Sequence, residues 1–378
     1  MNIKNILEAM ISRGGSDLHL KAGIAPVVRV DGKLDHLDFD RPSPKDMEAI
    51  SDQILTPGQK EKFKKTREVD FAFGVSGLAR FRANFYVQRG SIAMVFRHVP
   101  VEIKSLDELD LPEVLKKLSL KQRGLIFVTG TVGSGKSTTL AAMVREINEK
   151  TNKNVITIED PIEFLHHDIK SIINQREIGT DTSSFHEALR HILRQDPDVI
   201  LVGEIRDALT MEIALMAADT GHLVFSTLHT IDATQTINRV ISFFPPHQHQ
   251  EIRYLLSSTL RAVIAQRLIP LKESRGRVPA VEVMIVTAAV REYIVDPEKA
   301  PLIQQAIREG VSSHGMQSFD QSLMQLLADE RISIEEALKN SSNPHEFNLR
   351  LKGIKASSDN TWDSFENAET SGGTGGDF

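Results

Sequence analysis

The feature that most constrains this chain is a glycine-rich loop set between an apolar strand pattern and a helix pattern. Residues 130–137 read Gly-Thr-Val-Gly-Ser-Gly-Lys-Ser, a complete G-x-x-x-x-G-K-[ST] sequence. The loop follows the apolar run at 125–128 and precedes a helical segment that begins at Ser137. Strand, glycine loop and helix in this order form a phosphate site, because backbone N–H groups and the helix N-terminus favour an anion. The sequence therefore predicts that the chain binds a nucleoside triphosphate.

Two residues of the loop have specific expected roles. Lys136 is expected to pair with the β- and γ-phosphates, and the Ser137 hydroxyl to ligate Mg²⁺. The alternative, a plain glycine turn between a strand and a helix, is disfavoured by the complete motif in this context. ATP and Mg²⁺ are the expected cofactors. The predicted nucleotide-binding residues are Gly130, Thr131, Val132, Gly133, Ser134, Gly135, Lys136, Ser137 and Thr138.

Length and composition limit the class of protein. A chain of 378 residues exceeds the usual size of one hydrophobic core, so two domains are expected. No apolar run approaches the roughly 20 residues that span a bilayer, and the amphipathic, acidic start argues against a signal peptide. Cysteine is absent, which excludes disulfides and cysteine-based zinc sites. The net charge of −6 does not favour nucleic-acid binding, and the sequence predicts a cytoplasmic protein.

The pattern of apolar residues changes near residue 124. Before it, short helix and strand signals predict a small α/β domain that ends in a hairpin around Arg89-Gly90. After it, nearly continuous apolar strands alternate with helices, which predicts a parallel sheet. Residues 248 to about 338 are expected to be mainly helical, apart from a possible strand at 280–285.

The expected organisation has four parts. In the segment before the parallel sheet, a helix is predicted to start at the N-cap candidate Ser105 and to continue beyond Pro112. The C-terminal tail is rich in Ser, Gly, Asp and Asn, and we expect it to be disordered, with its single Trp362 idle. The predicted boundaries are an N-terminal domain at 1–99, a linker or hinge at 100–120, an ATPase domain at 121–356 and a tail at 357–378.

An acidic box follows the second strand of the parallel-sheet region. A strand lies between the phosphate loop and the next acidic strand, an insertion typical of RecA-like proteins, and it runs into Glu159-Asp160-Pro161-Ile162-Glu163. Carboxylates at the carboxyl edge of a parallel sheet lie where ligands bind. Glu163 or Glu159 is a candidate general base, and Asp160 is a candidate for organising Mg²⁺ waters. The alternative is an N-capped turn at Asp160-Pro161.

A second acidic strand ends at Glu204. Residues 199–204 read Val-Ile-Leu-Val-Gly-Glu, the shape of a Walker B element in which Gly203 stands where the usual Asp would be. Glu204 is therefore expected to hold Mg²⁺ through a longer arm and through water, since Mg²⁺ keeps much of its hydration. The alternative is an ordinary surface glutamate.

Two histidines flank the next strand, at 222 and 229. Their odd spacing directs them to opposite faces, so a shared metal ion is not expected. His229, at the carboxyl edge, is a candidate sensor of the γ-phosphate. His222, at the opposite edge, is either catalytic or a structural histidine.

Arginines supply the positive charge that phosphoryl transfer needs. Arg80, Arg82 and Arg97 lie on the hairpin of the first domain. Strand arginines are usually solvated, and these become arginine fingers, in cis or from a neighbouring subunit, only if this domain covers the nucleotide.

Together these boxes resemble the secretion-motor ATPases, and within them the type IV pilus retraction motors of the PilT/PilU group. The resemblance runs from about Gly15 to Ile354. The family's Walker A, Asp box, Walker B and His box match residues 130–137, 157–164, 199–204 and 221–230, and the four together are highly specific.

The resemblance implies an α/β fold with a PAS-like N-terminal α+β domain and a RecA-like (ASCE P-loop) parallel-sheet domain, assembled as a homo-hexamer. It implies nucleotide at subunit interfaces, reached by arginines matching Arg80, Arg82 and Arg97, and it supports roles for His222 and His229. Such motors work at the cytoplasmic face of the inner membrane on a platform protein. Nucleic acid is not an expected partner.

Two details place the chain within the group. Assembly and type II secretion ATPases usually carry longer N-terminal regions and a tetracysteine zinc site, which this sequence lacks. Residues 306–310 resemble the AIRAG motif of retraction motors, with Glu309 in place of alanine, whereas residues 315–321 and 346–354 look more like PilU. The leading hypothesis is a retraction ATPase. The alternatives are an assembly or type II secretion motor, an accessory subunit that depends on a PilT-type paralogue and, more distantly, a DNA translocase.

Overall fold

The computed structural model describes residues 1–30, 32–99, 102–273 and 276–352. The predicted disordered tail with Trp362, and Asp31 of a predicted turn, lie outside the described residues. By their contacts the residues form two units. Unit 1 comprises residues 1–103 together with 163–166, and unit 2 comprises residues 104–162 together with those from 167 onward.

Unit 1 is built on an antiparallel sheet of six strands in the order β3-β2-β1-β6-β5-β4. Its core is apolar and rich in phenylalanine, with Phe81, Phe85 and Phe96 fully buried. Phe85 and Phe96 meet edge to face, and Phe81 packs in a tilted arrangement against Phe73. Its elements are α1 (Ile3–Ser12), β1 (Asp17–Lys21), β2 (Val27–Val30), β3 (Lys33–His36), α2 (Pro44–Ile54), α3 (Pro57–Thr66), β4 (Glu68–Val75), β5 (Ala79–Gln88) and β6 (Ser91–Val99).

The predicted hairpin is present as β5 and β6, and two further elements of unit 1 were not predicted. Strand β3 is exposed at every position, so it carries no alternating apolar signal. Helix α2 begins with a capping box, in which the Ser43 side chain accepts from the Asp46 N–H and Asp46 accepts from the Ser43 N–H. That capping box was a readable signal for α2.

Unit 2 carries the parallel sheet and most of the helices. Its first elements are α4 (Val114–Ser119), β7 (Gly124–Thr129), α5 (Lys136–Lys150), β8 (Asn154–Glu159), β9 (Ile172–Glu177), α6 (Phe185–Ile192), β10 (Val199–Val202), α7 (Ala208–Asp219), β11 (Leu223–Leu228) and α8 (Ala233–Ser242). Its later elements are α9 (His249–Thr259), β12 (Leu260–Pro270), β13 (Arg277–Ile285), α10 (Ala288–Val295), α11 (Leu302–Glu309), α12 (Val311–His314), α13 (Phe319–Ala328), α14 (Ile334–Asn340) and α15 (Pro344–Leu351), with single 3₁₀ turns at Pro246–Gln248 and Pro297–Lys299.

The sheet of unit 2 has seven strands in the order β13-β12-β7-β11-β10-β8-β9. All neighbours pair in parallel except β13, which runs antiparallel to β12. The strand that lies between the phosphate-loop strand β7 and the acidic strand β10 is β11. The inserted strand is therefore the histidine-flanked strand. The order of the sequence predicts β8 in that position, because β8 comes between β7 and β10 along the chain, but in the sheet β8 lies on the far side of β10. The predicted α/β fold class is confirmed.

Three sequence predictions about unit 2 are wrong in detail. Strand β12 occupies a segment predicted to be helical, because its run of apolar residues, buried on both faces, has no period that separates a strand from a buried helix. Strand β9 was missed, since it is an edge strand of mixed polarity. The linker helix begins at Val114, and the Ser105–Glu108 capping contacts close only a turn.

Both faces of the parallel sheet are covered, which leaves its carboxyl edge as the place for a site. One face packs under α6 to α11 and the other under α4 and α5, in two separate apolar clusters. A further cluster joins the C-terminal helices to β12 and β13. Within the described part of the chain, no helix combines the length and the apolar character that crossing a bilayer requires.

Candidate active site

Three glycines shape the phosphate loop at positions where another residue would clash or be strained. Gly130 has φ 140°, and a Cβ on it would lie 2.5 Å from both the carbonyl oxygen of Gln266 and Oγ of Ser134. Gly133 and Gly135 have φ values of 78° and 91°, in the left-handed region that favours glycine. The glycines of the motif are therefore required by the geometry of the loop.

The lysine of the loop is held by backbone acceptors at the start of the loop. Lys136 Nζ donates to the carbonyl oxygens of Gly130 at 2.9 Å and of Thr131 at 3.0 Å. Helix α5 begins at Lys136, and its N-cap is Gly135, a residue without a side chain that could accept from the helix. The first N–H groups of α5 therefore suit an anion, and Ser137 lies in the first turn beside them.

A buried contact from β12 fixes the helix that follows the loop. Gln266 Nε2 donates to Thr139 Oγ1 at 2.8 Å, and both side chains are buried. Thr138, the last predicted nucleotide-binding residue, is partly exposed beside Thr139. The Gln266 carbonyl oxygen also packs closely against Gly130. One residue of β12 therefore contacts both the first residue of the loop and the helix that follows it.

Strand β10 delivers a glutamate whose two carboxylate oxygens meet different side chains. Glu204 is 17% exposed and follows Gly203 at the carboxyl end of β10. Its Oε2 accepts from His229 Nε2 at 3.2 Å, and its Oε1 pairs with the guanidinium of Arg206. The Walker B and His boxes thus meet at one point on the edge of the sheet. Arg206 was not singled out from the sequence, although its position two residues after Glu204 was visible there.

The glycine that replaces the usual aspartate is explained by crowding from β8. A Cβ on Gly203 would lie 3.2 Å from the carbonyl oxygen of Ile158 and 3.4 Å from Cα of Glu159. The Gly203 N–H donates to the same Ile158 oxygen at 2.8 Å, and the Gly203 carbonyl accepts from Thr227 Oγ1 at 2.7 Å. A side chain at 203 would be in tight contact with the backbone of β8, and the carboxylate stands one residue later, on Glu204.

The acidic box is divided between the two units. Glu159 belongs to unit 2, and its Oε1 accepts from Thr157 Oγ1 at 2.7 Å and from Gln175 Nε2 at 3.1 Å. Asp160 is exposed at the turn after β8. Glu163 is also exposed and lies in the short segment that groups with unit 1.

A buried glutamate that the sequence reasoning missed shapes the turn of the acidic box. Glu177, at the end of β9, is 3% exposed, and its Oε2 accepts from the Ile162 N–H at 3.3 Å. Its Oε1 accepts from Thr180 Oγ1 at 3.2 Å. Both contacts are local to one sheet edge, and nothing in the sequence pattern distinguished Glu177 from a surface acid.

The two predicted histidines lie at opposite ends of β11. His229 reaches Glu204, as described above. His222 Nδ1 lies 2.9 Å from the carbonyl oxygen of Ala217 and 3.3 Å from Thr220 Oγ1. A carbonyl can only accept, so Nδ1 carries the proton. The structure therefore brings His229 to the carboxyl edge and leaves His222 bonded to the end of α7.

The three predicted arginines share one face of the sheet in unit 1. Arg82 and Arg97 are directly opposite in the β5–β6 register, and Arg80 is two residues along β5. Arg97 Nε donates to Asp17 Oδ1 at 2.8 Å. Burial raises the pKa of Asp17, but the bonds from Arg97 and Ser16 outweigh it, and the pKa is lowered overall. Arg97 thus has a structural partner within its own unit.

The oxygen donors of unit 2 fit a magnesium ion that takes few ligands from the protein. Among the described residues, no group of three or more His, Asp or Glu side chains is arranged to hold a metal. Mg²⁺ at nucleotide sites is bound through one or two protein oxygens, with phosphates and water supplying the rest. The Ser137 hydroxyl and the Glu204 carboxylate are donors of that kind.

Comparison with known proteins agrees with this geometry. The model of the family "Type II/IV secretion system protein" matches residues 93–344. The type IV pilus retraction ATPase PilT of Pseudomonas aeruginosa is 45% identical over 92% of this chain and 100% of its own length. The type IV pilus ATPase PilU of the same organism is 38% identical over 93% of this chain and 92% of its own.

A solved structure extends the similarity to the fold. The crystal structure of the pilus retraction motor PilT with bound ADP superposes with a TM-score of 0.85 at 44% identity, and it covers 92% of this chain and 98% of that one. The resemblance to the PilT/PilU group, stated above from four sequence boxes, is confirmed.

Proposed function

The chain belongs to the type II/IV secretion system protein family, and we propose that it is an ATPase that powers type IV pilus retraction. The observation that carries the proposal is the meeting of Glu204 and His229 at 3.2 Å beside a complete phosphate loop, in a chain that matches PilT over its whole length. A match over the full length of a retraction motor favours retraction over pilus assembly or type II secretion.

The proposed roles follow from the chemistry of the side chains. Lys136 and the N–H groups of the loop bind the β- and γ-phosphates, and charge develops there as the terminal phosphoryl group leaves. Ser137 and Glu204 hold Mg²⁺, with Asp160 organising its waters; this ion neutralises phosphate charge when bound. His229 donates to Glu204 and fixes the orientation of the carboxylate.

We assign the general base to Glu163 in preference to Glu159. The Oε1 of Glu159 accepts hydrogen bonds from Thr157 and Gln175, both in unit 2, which suits a positioning role in the acidic box. Glu163 is an exposed carboxylate in a segment that groups with unit 1, so its position follows that unit. The assignment is tested below with glutamine variants of both residues.

The active form is proposed to be a homo-hexamer. In that ring, Arg80, Arg82 and Arg97 are candidates for stabilising the transition state from unit 1, and the linker at 100–120 is the candidate hinge for rigid-body rotation between the units. The motor is expected to act at the cytoplasmic face of the inner membrane and to power disassembly of the pilus through a platform protein.

The first test is steady-state ATP hydrolysis by the purified protein, with its mass measured in the same buffer by mass photometry. We expect hexamers whose turnover is abolished by Lys136→Ala. Hexamers without turnover would favour a nucleotide-dependent accessory subunit. A monomer with full turnover would contradict the ring mechanism.

The second candidate is an accessory motor of the PilU type, favoured by the match to PilU over 93% of this chain. The chain should be expressed in Pseudomonas aeruginosa strains that lack either PilT or PilU, and twitching should be scored for wild type and Lys136→Ala. Rescue of the PilT-deficient strain supports autonomous retraction. Rescue of the PilU-deficient strain alone supports the accessory role.

A further inference from the structure

The buried carboxylate of Glu282 lies near the nucleotide edge of the sheet but has no part in the roles assigned above. Glu282 is in β13, and only 2% of it is exposed. In the strand register it is opposite Ala265 of β12, which in turn pairs with Thr129, the last residue of β7 before the phosphate loop. Glu282 is therefore level with the start of the loop, two strands away.

Glu282 caps a helix to which it is not adjacent in sequence. Its Oε1 accepts from the N–H of Ala233, the first residue of α8, at 2.8 Å. The local N-cap, Asp232, accepts from the Gln235 N–H at 2.7 Å. Two acids thus satisfy different N–H groups at one helix terminus, where the helix dipole favours negative charge.

A second helix meets α8 at the same terminus. Gln304 of α11 lies close enough to the Glu282 carboxylate to oppose the rise in its pKa, and its Nε2 donates to Thr234 Oγ1 in the first turn of α8 at 3.5 Å. Strand β13, helix α11 and the start of α8 therefore meet at one point. Helix α11 carries residues 306–309 of the motif in which Glu309 replaces alanine.

The start of α8 is separated by only three residues from the histidine of the site. His229 directly follows β11, and Ala233 begins α8. The short loop between them is held at one end by the His229–Glu204 bond and at the other by the Ala233–Glu282 bond. A displacement at Ala233 is therefore expected to change the distance between His229 and Glu204.

We propose that Glu282 is a positioning residue for the reaction: its carboxylate sets the start of α8 against α11 and so holds the loop that places His229 beside Glu204. The proposal rests on the ATPase function proposed above. Glu282 does not touch the reacting groups. It acts through the loop between β11 and α8.

The ionisation of this group gives the proposal a measurable signature. Burial raises the pKa of Glu282 to about 7, opposed by the Ala233 N–H. The charged neighbours are Asp232 at the start of α8, which raises the pKa, and Arg267 on β12, which lowers it. A charged acceptor makes a stronger hydrogen bond than a neutral one, so the tie to α8 is expected to tighten as the pH rises through about 7.

The test compares wild type with Glu282→Gln, which keeps an acceptor oxygen but cannot ionise. We measure kcat and KM for ATP from pH 6 to 8.5. The expected ratio of wild-type to variant kcat is near one at pH 6 and rises about threefold by pH 8, with KM within twofold, because the phosphate loop is untouched. A ratio that does not change with pH would overturn the proposal.

The matched control is Asp320→Asn. Asp320 is a largely buried acid on α13 whose pKa is also raised by burial, and its Oδ1 accepts from the Ser342 N–H at 2.7 Å. For Asp320→Asn, the ratio of wild-type to variant kcat is expected to stay constant across the same pH range. The same rise in both variants would assign the effect to general stability and overturn the proposal.

A readout that needs no turnover separates this proposal from the ATPase function. Hydrogen–deuterium exchange at residues 229–238 is expected to speed up in Glu282→Gln, and also in Gln304→Ala, which alters a partly exposed residue and leaves the core intact. If wild type fails to hydrolyse ATP, the proposed function fails, and exchange at 229–238 still decides the role of Glu282. Unchanged exchange in both variants would contradict that role.

Discussion

The two edges of the parallel sheet in unit 2 use their polar side chains in different ways. At the carboxyl edge, Glu204 is bonded to other side chains, His229 and Arg206. Its neighbour Glu159 likewise accepts from side chains. Side-chain partners can turn away to make room for a ligand at little cost to the fold.

At the amino edge the partners are mostly backbone groups. Asp198 accepts from the Asn154 N–H at 2.9 Å, and His222 is bonded to the Ala217 carbonyl oxygen at 2.9 Å. These partners are fixed by the strands and helices themselves, so exchanging them for a ligand would disrupt the fold. For these carboxylates and histidines, the type of partner thus separates the residues that we propose for catalysis, at the carboxyl edge, from those that we propose for stability, at the amino edge.

The largest expected effect at the carboxyl edge is that of Lys136→Ala. This change removes the positive charge that is expected at the β- and γ-phosphates, and turnover should fall about 1000-fold. The melting temperature without nucleotide should change little, because the hydrogen bonds from Lys136 to the Gly130 and Thr131 carbonyls are local to the loop. Steady-state hydrolysis and calorimetry on the same preparation check both parts. A large loss of stability without nucleotide would assign Lys136 to the fold.

The next prediction distinguishes the general base from the magnesium ligand among the carboxylates of this edge. Glu163→Gln should bind Mg-ATP normally but slow single-turnover hydrolysis about 100-fold, as expected for loss of a general base. Glu204→Gln should instead weaken the magnesium dependence of binding and turnover. Glu159→Gln is the matched control, with an effect smaller than either. Wild-type rates in both Glu163→Gln and Glu204→Gln would show that the site is assigned wrongly.

The sequence predicts the carboxyl edge better than the rest of the fold, for a physical reason. The phosphate loop needs glycines at positions such as Gly130, where a Cβ would clash, so its sequence pattern is narrow. His229 follows an apolar strand directly and Glu204 follows one after a single glycine, so their place at the strand ends follows from the strand pattern alone.

Elements and contacts that depend on distant residues were not predictable in this way. Strand β12 is buried on both faces, so its apolar run also fits a helix. The bonds of Glu282 to Ala233 and of Glu177 to Ile162 join segments 49 and 15 residues apart. Nothing local marks such residues as buried, because a carboxylate in the core becomes acceptable only once its partners are in place.

The two histidines of β11 give the most direct test of the comparison. His229→Ala should lower kcat about 10-fold, because it removes a hydrogen bond to a charged group of the site, and should leave the melting temperature close to wild type. His222→Ala should lower stability by about 1 kcal/mol through the lost bond to Ala217, and should leave kcat unchanged. Kinetics and calorimetry on both variants check this reciprocal pattern. A loss of kcat in a well-folded His222→Ala would give the amino edge a catalytic role after all.

The smallest expected effect tests whether the amino edge is purely structural. The pKa of Asp198 is lowered overall. Burial raises this pKa, but the hydrogen bond from the Asn154 N–H and the Lys153 ammonium at 3.1 Å together lower it by more. A lowered pKa stabilises the fold above the ordinary value of 3.8, and this stabilisation disappears as the pH falls through the pKa of the folded state. Because the side chain is 41% exposed, Asp198→Asn should lower the free energy of unfolding by at most about 1 kcal/mol at pH 7.

Melting temperatures from pH 3 to 7 should show wild type and variant converging at the acid end, with equal kcat at pH 7. A gap that persists at pH 3 would mean that the charge of Asp198 is not what stabilises this edge, and a changed kcat would remove the distinction between the two edges.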